Sequence, residues 1–258
     1  MPNSDTPYLL KTSDLAVSIG DRILCRSVSI SMSSGETWSI LGPNGSGKTT
    51  LLETLAGLRP SRSGEVLLDG DSTSSLSSRQ LALRRSMLFQ KTDDVFPATV
   101  METVISGRHP HIPNLQTETS KDYDIARQAL QKVDLVGFEE RDINSLSGGE
   151  RQRVSIAACL AQDTPVCLFD EPSNHLDLKH QNSILQLISD SKQRLNLIVL
   201  QDINQAWRYT SHVLLLYSDG STEHGTVEKM LTIERLESLY GCKLKMIQDN
   251  RDRVFVHA

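Results

Sequence analysis

Eight residues, GPNGSGKT (Gly42 to Thr49), set glycines, a lysine and a hydroxyl at the spacing G-x-x-x-x-G-K-[ST]. Glycine lets successive backbone N–H groups turn inward on phosphate oxygens. The cradle runs through Gly42, Pro43, Asn44, Gly45, Ser46 and Gly47. Lys48 can reach β- and γ-phosphates, the Thr49 hydroxyl can join a magnesium shell, and Thr50 follows on the same helix. A second group, VCLFDEP, ends an apolar run in two acids. Asp170 at a strand end can hold Mg2+, directly or through water. Glu171 is placed to accept a proton from an attacking water and to orient it.

These groups need rigid supports, and the chain supplies them. TWSIL (Thr37 to Leu41) predicts a strand running into the glycine turn, with a helix from Lys48 to Leu58 behind it, so the helix dipole meets the same anion. SVSISM (Ser27 to Met32) alternates with period two, as a half-buried strand does, and GEVLLDG is a second short strand. The serine-rich DSTSSLSSRQ reads as a loop entering a helix. From about Thr99 to Gln162 the pattern is helical, with Ile125, Ala129, Leu130 and Val133 on one face. After Pro165 strands and helices alternate. VCLF and LNLIVL are apolar almost throughout, which suits parallel strands covered on both faces. A helix, TIERLESLYG, and a closing strand, RVFVHA, end the chain.

LSGGERQRV (Leu146 to Val154) lies between the two phosphate motifs. Ser147, Gly148 and Gly149 open a helix, offering a hydroxyl, free N–H groups and a dipole, a second anion site. Here the chain resembles ABC transporter ATPase subunits, and the resemblance runs over nearly its whole length. MLFQ ends at Gln90, where the family places a glutamine that touches magnesium and the attacking water. SNHLD, with Asp177 as its acid, resembles the loop that crosses the family's dimer interface, which makes His175 an interface residue.

The resemblance implies an α/β fold: a P-loop NTPase (RecA-like) core with an antiparallel β subdomain and an inserted α-helical subdomain. It implies one domain over 1–258, with core and β subdomain at 1–95 and 163–258 and the helical signature subdomain at 96–162. It also implies ATP and Mg2+ as ligands and a homodimer with ATP at the interface, Ser147 and Gly149 of one copy closing on the nucleotide of the other. Integral membrane permease subunits and, indirectly, a substrate-binding protein are the implied partners. The run from GRHPH to FDEPSNHLDLKHQ is most similar to ATPase subunits that import iron chelates, haem or vitamin B12. A soluble, non-transport ATPase of this fold, acting as an ATP-gated scaffold or regulator, is the rival reading.

Two positions depart from the family pattern. The family sets an aromatic about thirty residues before the P-loop lysine to stack on the base; here that count lands on or near Ile19, in VSIGDR. Ile19 offers apolar contact without a ring quadrupole, which leaves the choice between ATP and GTP open. After LIVL the family has histidine then aspartate, and this chain has Gln201-Asp202. Glutamine keeps a donor and an acceptor but cannot become cationic. The enzyme is native and slowed, native and unaffected, or carries an introduced substitution that traps ATP. With Glu171, Lys48 and Gln90 present, a working or slowed ATPase is the expectation.

Composition bounds the rest. The chain has 258 residues, 38% hydrophobic and 23% charged, the balance of a globular domain. A net charge of −5 gives no basic footprint for nucleic acid. No apolar run reaches the roughly 18 residues of a membrane span, and MPNSDTPYLLKTSD lacks the features of a signal peptide. The four cysteines are scattered without CxxC spacing, and three sit in apolar stretches, which reads as small buried hydrophobes in a reducing cytosol. These features predict a cytoplasmic location, and the resemblance implies a peripheral place on the cytoplasmic face of the inner membrane. His109 and His111 in RHPHIPN have H-x-H spacing with no third ligand nearby, so a loop role outranks metal.

Overall fold

Three pentapeptides, TWSIL, VCLFD and LNLIV, have every residue buried, so their strands lie inside a sheet. A computed structural model describes residues 8–90, 97–113, 116–249 and 252–258. The chain opens with β1 (Tyr8–Ile19), β2 (Arg22–Ser33) and β3 (Thr37–Leu41), followed by α1 (Lys48–Leu55). Next come β4 (Ser63–Leu68), β5 (Asp71–Ser72), α2 (Ser78–Arg84) and β6 (Arg85–Leu88). Three helices follow, α3 (Val100–Ile105), α4 (Ser120–Lys132) and α5 (Gly148–Ala161). The alternating part runs β7 (Val166–Asp170), α6 (Leu178–Ser189), β8 (Leu195–Val199), α7 (Ile203–Tyr209), β9 (His212–Leu216) and β10 (Thr222–Thr226). Two helices, α8 (Val227–Met230) and α9 (Ile233–Tyr240), lead to a terminal hairpin of β11 (Leu244–Asp249) and β12 (Asp252–His257).

The central sheet has the order β10-β9-β3-β8-β7-β6, and only β10 runs antiparallel to its neighbour. Alternate residues serve two cores. Leu168, Leu197 and Leu214 join β1, β2 and α1 on one face. Phe169, Ile198 and Leu215 join the helices α3 to α6 on the other. A separate antiparallel sheet, β2-β1-β4-β5, covers the first face. This is the α/β architecture expected, with its antiparallel and helical parts.

Details differ from the sequence reading for identifiable reasons. The helix after the phosphate loop stops at Leu55, short of Leu58, because Gly57 takes φ +71°. Leu58 N–H then donates to Glu53 O at 2.9 Å and Gly57 N–H to Thr54 O at 3.0 Å, a Schellman stop. The serine-rich stretch contains a short strand, β5, before α2 begins at a Ser77–Gln80 capping box. The closing strand β12 pairs with β11, which periodicity had not revealed, and stays outside the main sheet. The expected boundary at residues 95 and 96 lies outside the described residues.

The helical part is pinned by one buried ion pair. On α4 the buried face includes Ala126 and Asp122, while Ile125 is only partly covered. Asp122 Oδ2 accepts from Thr119 N–H at 3.0 Å and from its hydroxyl at 2.7 Å, capping α4. Its Oδ1 accepts from Arg108 Nε at 3.1 Å, and Arg108 Nη1 donates to Ala161 O, the last residue of α5, at 2.8 Å. The Thr119 bonds first, then Arg108, take the Asp122 carboxyl down to about 2.

Candidate functional site

The phosphate loop is shaped by close backbone approaches. A Cβ on Gly42 would sit 2.4 Å from the Leu216 carbonyl oxygen, so no larger residue passes under the end of β9. Gly47, at φ +103°, caps α1 with no side-chain bond, which leaves first-turn N–H groups for an anion. Its missing side chain also admits Leu24 of β2, which a Cβ would meet at 2.8 Å. Lys48 folds back over the loop, Nζ donating to Gly42 O at 2.8 Å and Pro43 O at 3.1 Å. Burial lowers its pKa, against the pull of Glu171 and Asp170.

Strand β7 delivers Asp170 at its last position, fully buried. Neither of its carboxylate oxygens has a hydrogen-bond partner, nor has the buried Ser46 Oγ in the loop above. Burial pushes the Asp170 carboxyl up; the Thr49 side chain, close by without closing a full hydrogen bond, and the Lys48 charge oppose the shift. Unpartnered buried oxygens of this kind call for a cation. Carboxylate and hydroxyl oxygens are the donors a hard cation such as Mg2+ takes.

Glu171 follows in the left-handed region, φ +51°, its N–H donating to Val199 O at 3.2 Å. Three amides converge on its carboxylate. Gln201 Nε2 donates to Oε1 at 2.8 Å and Gln90 Nε2 to Oε2 at 2.9 Å. Asn174 Nδ2 also donates to Oε2. Burial, the largest single influence, pushes Glu171 up, but Gln201, Gln90, Asn174 and the Lys48 charge outweigh it. The net pKa lies below the usual glutamate value, so the group is an ionised proton acceptor at neutral pH.

Lys48, Thr49, Gln90, Glu171 and Gln201 share one cavity of about 520 Å³, lined also by Ile19, Asn44, Gly45, Gly47, Thr50, Arg22 and Leu24. Gly42, Pro43, Ser46 and Asp170 are not among its lining residues. Ser147, Gly148, Gly149 and Asp177 are not brought to it. Ser147 caps α5 instead, its hydroxyl accepting from Glu150 N–H at 3.3 Å while its own N–H donates to Glu150 Oε2 at 2.8 Å, a capping box. Gly149 lies against the Asp177 loop: a Cβ there would be 3.0 Å from His175 O. Asp177 caps α6 through His180 N–H at 2.9 Å. His111 Nε2 bonds Gln162 O at 2.7 Å and His109 lies 3.6 Å from Glu118, so both brace a short 3-10 helix, Ser106–His111, where the sequence suggests a loop.

Three contributors escaped the sequence reading. Arg22 donates through Nη2 to Gly45 O at 2.9 Å. Leu24 packs against the loop, and Asn174 returns to Glu171 three residues downstream. Asn174 lay in view within SNHLD; a turn opened by a left-handed Glu171 brings an amide at that offset back onto the carboxylate.

Known proteins share this arrangement of elements. The profile of the ABC transporter family matches residues 25–174. The ferric enterobactin transport ATP-binding protein FepC of Escherichia coli (strain K12) is 34% identical over 243 residues, 93% of this chain and 90% of that protein. The hemin import ATP-binding protein HmuV of Burkholderia ambifaria is 33% identical over 261 residues, 93% of this chain and 96% of that one. Among solved structures, an ABC transporter assigned to the metal-chelate type, in an inward-facing conformation, aligns with TM-score 0.84 at 26% identity, over 98% of both chains. A dimeric ATP-binding cassette in a post-hydrolysis state with ADP and Pi aligns with TM-score 0.73 at 28% identity, over 84% of this chain and 98% of that one.

Proposed function

The chain belongs to the ABC transporter family and is an ATPase, and from that premise we propose that it drives import of a metal chelate through separate membrane-spanning subunits. A ferric siderophore, haem or vitamin B12 is the class of cargo, as the names of relatives such as FepC, HmuV and the cobalamin import protein BtuD of Halobacterium salinarum support. Among the described residues no helix is long and apolar enough to cross a membrane. The proposed location is the cytoplasmic face of the inner membrane, against permease subunits that a substrate-binding protein supplies.

One observation carries the chemistry: an ionised Glu171, fixed by three amides, faces a phosphate-shaped loop above an unpartnered Asp170. Lys48 and the loop N–H groups hold the β- and γ-phosphates of ATP. Glu171 takes a proton from the water that attacks in line with the γ-phosphate. Gln201 and Gln90 hold the Glu171 carboxylate in aim. Thr49, Asp170 and Gln90 would hold Mg2+, which when bound neutralises phosphate charge. Ser147, Gly149 and Asp177 lie away from this cavity, so they fit an ATP held by a second copy in a head-to-tail homodimer.

The test is purification of the tagged chain from detergent-solubilised membranes of its host, with MgATP hydrolysis followed throughout. The expected result is an integral membrane protein in the complex and faster turnover than the chain alone shows. Recovery with soluble proteins only would overturn the transport reading in favour of a scaffold or regulator.

Gln201 gives a sharper measurement. A cationic histidine there adds a second charge to a bond in which the neutral amide leaves only the acceptor charged, a gain of roughly 0.5–2 kcal/mol on the scale of charged hydrogen bonds. Expressed in the transition state, the gap is roughly two- to thirtyfold in rate. Gln201→His is therefore expected to speed steady-state hydrolysis by a factor in that range. The gain depends on a cationic imidazole, so it shrinks as pH rises through about 6.5. A ratio of rates that stays constant from pH 6 to 8 contradicts this account of the substitution.

A further inference from the structure

A nucleotide seated with its γ-phosphate toward Glu171 and Gln201 extends its base toward the β1–β2 hairpin, where the cavity is lined by Ile19, Arg22 and Leu24. None of the cavity's lining residues is aromatic. Ile19 is 53% exposed and can cover part of a ring by apolar contact alone. Arg22 is different. It is exposed, and among the described residues it forms no ion pair. Its bond to Gly45 O at 2.9 Å uses one of five N–H donors and ties one edge of the guanidinium to the phosphate loop. A planar cation held by its edge has its face available for stacking, and anchoring lowers the rotamer entropy that a ligand must overcome.

We propose that Arg22 lays its guanidinium plane on the base of the bound nucleotide, with Ile19 beside it, so that a cation–π contact takes the place of ring stacking. The inference rests on the cavity being the ATP site. A contact of this kind acts on purines, with their larger π surface, more than on pyrimidines, and barely distinguishes adenine from guanine. Its strength corresponds to about 2- to 30-fold in affinity.

The test is calorimetric titration of the full chain, in magnesium buffer, with the β,γ-imido analogues of ATP and CTP and with inorganic tripolyphosphate. Arg22→Ala should weaken the ATP analogue by about 2- to 30-fold, leave tripolyphosphate within twofold, and narrow the gap between the ATP and CTP analogues. Arg22→Tyr should restore ATP-analogue binding, because a ring can stack without charge. Unchanged tripolyphosphate binding shows in the same experiment that each variant is folded. Rescue by Arg22→Lys together with loss of tripolyphosphate would assign Arg22 to the phosphates and overturn the proposal, as would unchanged ATP-analogue affinity in Arg22→Ala. A parent chain that binds tripolyphosphate but gains nothing from the base overturns it too. A parent that binds no nucleotide at all removes the ATP-site reading itself.

Discussion

Glu171→Gln should lower MgATP hydrolysis by about 10²- to 10⁴-fold, the usual range for loss of a positioned general base, while ATP binding persists. The substitution removes the proton acceptor and nothing of the phosphate loop. It also presents one amide oxygen and one amide nitrogen to three donors that now converge on a carboxylate. A glutamine can turn its oxygen inward, so Gln201 and Gln90 reorient at little cost and the cavity keeps its shape. With ATP left unhydrolysed, the proposed head-to-tail dimer persists. The variant should run as a stable dimer on size exclusion in MgATP where the parent reverts to monomer as ATP is consumed. A variant within tenfold of the parent rate would mean that the water is activated elsewhere.

Arg108→Ala should cost about 3–5 kcal/mol of stability, the range for breaking a buried pair by removing one partner. Arg108 is 6% exposed and Asp122 is 8% exposed. Loss of the guanidinium leaves the Asp122 carboxylate without its counter-charge and the Ala161 carbonyl without its donor. Arg108→Met with Asp122→Asn should recover part of the loss, since no charge is left buried and Asn keeps a cap for α4. The Asp122 carboxyl is depressed in the fold, to about 2, so its contribution is present above the ordinary aspartate pKa of 3.8 and is lost as pH falls toward 2. Urea unfolding at pH 7 measures the cost, and a value below about 1 kcal/mol would place the pair among the weak surface contacts.

Motifs of fixed short spacing were legible in the sequence because covalent geometry sets them. The loop from Gly42 to Thr49 needs its glycines within a few residues, and buried strands betray themselves by having nowhere to put a polar side chain. The order of motifs likewise placed Lys48, Gln90, Glu171 and Gln201 in one expected site, and they line one cavity. What stayed hidden depends on direction in space. Arg22 follows a glycine turn in a stretch already noticed for Ile19, but its reach to Gly45 exists only once β2 lies over the loop. Asp122 looks like any acid in a helical first turn until Arg108 arrives from another segment to neutralise it. The terminal hairpin is held by Asn204, which gives to Phe255 O at 3.1 Å and takes from its N–H at 2.8 Å, a contact across 51 positions that no local pattern encodes.

The left-handed backbone at Glu171 sets stability and catalysis against each other at a single position. A glutamate held at φ +51° carries strain of about 1–3 kcal/mol that a glycine would shed. Selection for heat resistance alone, blind to turnover, weighs that strain only against three amide hydrogen bonds, and nothing in it protects the carboxylate's proposed part in hydrolysis. A directed-evolution campaign on this chain has to screen rate and melting temperature in the same round, or it will harvest sturdy proteins that no longer work.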